Sequence, residues 1–163
     1  MSAAANDDLV AGLARAAVER AAPEELPLFR ATSEAYFADP DALEQKAPRD
    51  ELLGFGVEAA AMLVTPVALQ VARDVIGFLH EQLRERAREH GEGAIDRLIA
   101  RIVGTGAKDE QDAEAEAEPV PQLTDEQLEQ VRALAVEKAR SLKLSEERAE
   151  LLADSLVGSL ATA

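Results

Sequence analysis

The chain has 163 residues, 47% of them hydrophobic and 3% aromatic, with no cysteine and a formal net charge of -15. One domain, or one domain with a small appendage, fits that length, and the apolar fraction is too high for a wholly disordered chain. The lack of cysteine excludes disulfides, thiolate-held zinc, iron–sulfur clusters and thiol catalysis.

The apolar content is mostly Ala and Leu, the strongest helix formers, which points to an all-α fold. The acids outnumber the bases in every region: eighteen to eleven over 1–104, six to one over 105–122 and eight to five over 123–163. Direct nucleic-acid binding needs clustered Lys and Arg, so it is not expected. The same charge repels anionic lipid. The start, Met1 to Asp8, has neither a basic nor an apolar leader segment, so a cytoplasmic location is the expectation. An excess of Arg over Lys with abundant Ala matches the bias of GC-rich bacterial proteins.

Asp7 to Ala22 reads as a first helix capped by Asp7 or Asp8, with Leu9, Leu13, Ala16 and Ala17 on one side. Pro23 ends it. Glu24 to Arg30 forms a turn into a short helix that stops near Asp39-Pro40, where Phe29, Ala35, Tyr36 and Phe37 make a core plug. Asp41 to Lys46 has room for a further turn or two. Arg49 to Val64 reads as a helix with Leu52, Leu53, Phe55, Ala59, Ala60, Met62 and Leu63 as its apolar content, weakened at its start by Gly54 and Gly56. Thr65-Pro66 marks a new start, Thr65 as cap and Pro66 at the first helical position, in preference to one long helix kinked at Pro66.

The helical signal is strongest from Pro66 to His90. Ala68, Ala72, Val75, Ile76, Leu79, Leu83 and Ala87 form one stripe at steps of three and four. The first half is apolar nearly all round, which places it at the centre of a bundle. Gly91-Glu92-Gly93 stops it. Ala94 to Val103 forms a short amphipathic helix ended by Gly104-Thr105-Gly106. The acidic run that follows, up to Pro121, lacks the apolar groups needed to offset the entropy of ordering and reads as a linker.

A helical hairpin closes the chain. Thr124 and Gln127 fit a capping box. Leu128, Val131, Ala135 and Leu142 line one face of its first helix, with Leu134 alongside. Leu142-Lys143-Leu144 is the turn, and Ser145 caps a second helix facing inward with Leu152, Leu156, Val157 and Leu160. The expected organisation is a helical bundle over 1–104, an acidic linker over 105–122 and a hairpin over 123–163.

No catalytic, metal or cofactor motif stands. His80 and His90 lie about 15 Å apart along one helix axis and roughly 80° apart around it, so they cannot share a metal. His80-Glu81 starts like a zinc-protease motif, but position 84 is Arg. Gly104-Thr105-Gly106-Ala107-Lys108 follows a helix and lacks the hydroxyl residue a phosphate loop needs after its lysine. Glu58 is the best-placed carboxylate for acid–base work, and the outer side of its helix is the simpler home for it. Arg84, Arg86 and Arg88 alternate with Glu85 and Glu89 as a solvated, paired face.

Two functional readings follow. In the first, the protein is non-enzymatic and binds a protein partner or itself as adaptor, accessory subunit or self-associating oligomer. A hairpin of two helices buries too little surface alone, so Leu128, Val131, Leu134, Leu142, Leu152, Leu156 and Leu160 must pack on the bundle, on another copy or on a partner. In the second, the apolar helices between Leu52 and Leu79 enter a membrane, with Met62, Leu63, Val67, Leu69, Val71 and Phe78 facing lipid. The uncharged run Ala59–Ala72 spans about 21 Å as helix against about 30 Å of hydrocarbon. Extending it to Leu79 brings in Arg73 and Asp74, which favours burial in a bundle.

Overall fold

The computed structural model describes residues 3–40, 63–82, 84, 97 and 122–162. Every regular element among them is helical, and the fold is all-α. Helix α1 runs from Ala3 to Ala21. A single 3-10 turn, Pro23–Glu25, leads into α2, Leu26–Ala38. Helix α3 is Val64–Gln82, α4 is Asp125–Ser141 and α5 is Glu146–Ala161. Apart from Leu63, Val64 and Arg97, the helices expected over 49–64 and 94–103 lie outside the described residues, as do the turns over 41–46, the stop at Gly91 and nearly all of the acidic run at 105–122.

Helix α3 sits at the centre and packs on all four of the others. Val64, Thr65, Val67, Ala68, Leu69, Gln70, Val71 and Ala72 are all buried, as the all-round apolar pattern requires. Past Ala72 only the stripe Val75, Ile76 and Leu79 stays buried, while Arg73, Gly77 and Glu81 are exposed. Helix α1 lies against α3 and α5, with Val10, Leu13, Ala14, Ala17 and Val18 turned inward. Its alanines let the neighbouring backbones approach closely.

The hairpin α4–α5 docks on this bundle within the same chain. Val131, Ala135, Ala139, Leu152, Leu156 and Leu160 belong to one buried cluster with Leu13, Leu69 and Ile76. Both sides of the Thr124–Gln127 capping box form. The turn is a Schellman motif: Leu144 N–H donates to the Ala139 carbonyl and Lys143 N–H to that of Arg140. Lys143 has a φ of 69°, the left-handed conformation that this motif demands. Ser145 takes the N-cap position of α5, but its side chain makes no capping hydrogen bond.

Two sequence expectations about helix starts need correction. Helix α1 begins at Ala3, so Asp7 and Asp8 lie inside it and cap nothing. The run Ala3-Ala4-Ala5 is strongly helix-forming and carries the helix past them. Helix α3 begins at Val64, so Thr65 is its second residue and does not cap it. The acceptor for this helix end comes from elsewhere in the chain.

Candidate functional site

That acceptor is Glu25. Its carboxylate is buried, 7% exposed, and faces the start of α3. Oε1 accepts the Val64 backbone N–H at 2.8 Å. Oε2 accepts the Thr65 backbone N–H and the Thr65 hydroxyl, each at 2.7 Å. The first N–H groups of a helix have no partner within it and carry partial positive charge, so a carboxylate fits them. Pro66 in the same turn has no N–H to satisfy. The 3-10 turn Pro23–Glu25 aims the side chain, held by Glu25 N–H donating to the Ala22 carbonyl at 3.0 Å. The arrangement is a cap supplied from 39 residues away, and these three hydrogen bonds go to the protein's own backbone and the Thr65 hydroxyl.

A second polar cluster lies where α2, α3 and α4 meet. The Tyr36 hydroxyl donates to Gln70 Oε1 at 2.6 Å, and both side chains are buried. Burial pushes the Tyr36 phenol above its ordinary value of 10.0, with Arg73 opposing through a hydrogen bond and its charge. Beside them Lys138 Nζ and an Asp74 carboxylate oxygen stand 3.3 Å apart, each side chain only a quarter to a third exposed. This ion pair ties α4 of the hairpin to the central helix. Tyr36 packs edge-to-face on Phe37, ring centroids 5.3 Å apart. The cluster joins three helices, and its chemistry is that of a structural tie: one neutral phenol, one amide and paired charges.

The hairpin residues named as a partner face divide in two. Val131, Leu152 and Leu156 have no exposed surface and Leu160 has 3%. Leu128, Leu134 and Leu142 are partly buried against the same core. This face is therefore occupied by the chain's own α1 and α3. Of the residues named for a membrane segment, Val67, Leu69 and Val71 are buried in the core and Phe78 is half-buried. Leu63 is 47% exposed, and Met62 lies outside the described residues. No helix among the described residues is long and apolar enough to cross a membrane. His80 is half-buried on α3, whereas His90 and Glu58 lie outside the described residues.

Among the described residues three large apolar side chains are exposed: Leu28 at 58%, Leu63 at 47% and Leu151 at 45%. Leu28 lies three residues beyond Glu25, and Leu63 directly precedes the Val64 that Glu25 binds. The cap thus ties together the two segments that carry two of the three. No reading of local pattern pairs them, because the tie that brings them together spans residues 25–64. Neither a protein-family model, nor a curated protein, nor a solved structure matches this chain.

Proposed function

We propose that this chain is a non-enzymatic helical module that binds another protein. The observation that carries the reading is the exposure of Leu28 and Leu63, on the two segments that Glu25 ties together, after the chain's own helices have closed the core. Single exposed leucines are ordinary, so the reading rests on two of them lying on segments tied to one another. The hairpin face cannot serve a partner while it is docked, so the contact falls to the outer surface.

The membrane-active alternative would require α3 to leave the bundle. That exposes Val67, Leu69, Val71, Val75, Ile76 and Leu79, all at most 2% exposed. In lipid those side chains stay out of water, so their transfer is close to neutral, but the same helix carries Arg73 and Asp74 into the hydrocarbon at roughly 2.5–3.5 kcal/mol for each charge. The interaction reading needs no such rearrangement.

A photo-crosslinking residue placed in turn at Leu28, Leu63, Leu151 and the exposed Gly77 tests the proposal in the native cell. A discrete crosslinked protein is expected from at least one leucine position and none from Gly77. Folded protein that crosslinks to nothing at any leucine position overturns it.

A further inference from the structure

We draw no further inference here: the strongest candidate, the polar cluster of Tyr36, Gln70, Asp74 and Lys138 where α2, α3 and α4 meet, belongs to the site already described, its Tyr36–Gln70 hydrogen bond and Lys138–Asp74 ion pair join the chain's own helices, and nothing among the described residues points to a ligand there.

Discussion

Glu25 and Thr65 are bound twice over, the same carboxylate oxygen accepting both the backbone N–H and the hydroxyl of Thr65 at 2.7 Å. Glu25→Ala strands the Val64 and Thr65 donors in a buried site. The expected loss is about 3 kcal/mol, since hydrogen bonds to a charged acceptor are worth more than neutral ones. Thr65→Val removes only the hydroxyl donor and should cost about 1 kcal/mol. Urea unfolding of the two variants gives the comparison. Equal effects would mean that the backbone hydrogen bonds contribute nothing.

Tyr36 is the only tyrosine and there is no tryptophan. Its phenolate absorbance therefore reports one group. Burial disfavours the phenolate, so the titration midpoint should lie above 10.0 in the folded protein and return to the ordinary value in urea. The sign follows from linkage: above the unfolded value the native state holds the proton more tightly. This contribution to stability is intact below pH 10.0 and is lost as pH rises through the folded value. Tyr36→Phe should abolish that alkaline slope and leave Gln70 Oε1 without its donor, costing about 1–3 kcal/mol. A midpoint that does not change on unfolding would refute the buried environment.

How far the sequence reveals the fold depends on the range of the interaction. The hairpin is legible because its signals are local: Thr124 and Gln127 lie three apart, and the inward leucines follow helical spacing. Helix α3 is legible because its first half is apolar on every side. The start of α3 is not legible locally, for the opposite reason. A hydroxyl before a proline is a good local cap, but a carboxylate from another element outcompetes it. A hint existed in Glu25 itself, an acid just before the apolar Leu26-Pro27-Leu28 run. Helix α2 is legible only in part: Phe29 and Tyr36 are buried as expected, whereas Ala35, expected in the same core plug, is exposed. Which of two apolar faces is covered depends on the neighbours, and sequence spacing does not state it.

Lys143 holds the left-handed position of the hairpin turn without being glycine. A side chain there costs roughly 1 kcal/mol because its Cβ crowds the backbone. Lys143 is exposed and the turn hydrogen bonds run through the backbone. Lys143→Gly should therefore raise stability by up to about 1 kcal/mol, seen as a higher midpoint in urea. A lower midpoint would mean that the lysine side chain contributes more than its strain.

Gly77 is exposed in the middle of α3, and a Cβ built there meets nothing within 4 Å. Gly77→Ala should stabilise by about 1 kcal/mol, the difference in helix propensity. Gly158 differs: a Cβ would stand 3.0 Å from Nη1 of Arg20. That atom ends a long, exposed side chain that can swing aside, so Gly158→Ala should stabilise by less. Adding Arg20→Ala to Gly158→Ala should recover the rest of the propensity gain. Thermal melts of the set separate the two terms. Gly77→Ala that destabilises would show that something else occupies the space beside α3.

The hairpin should unfold with the bundle rather than before it. Val131, Leu152, Leu156 and Leu160 are at most 3% exposed, and at roughly 1.5–3 kcal/mol each their burial contributes on the order of 8 kcal/mol. That is a large share of the 5–15 kcal/mol available to a whole domain. Undocking would also bare the inner sides of α1 and α3 to water. Tyr36 lies on α2, in the cluster that also meets α4, whereas Leu152 lies on α5, which packs against α1. Leu152→Ala should cost 2–5 kcal/mol and lower the Tyr36 fluorescence transition as much as it lowers the helical signal, because one cooperative unit has one midpoint. Leu151→Ala, at a position 45% exposed, should leave both within about 0.5 kcal/mol of wild type. If Leu152→Ala moved only the helical signal and left Tyr36 at its original midpoint, the hairpin would be a separately melting element, and its inner face would be open to a partner after all.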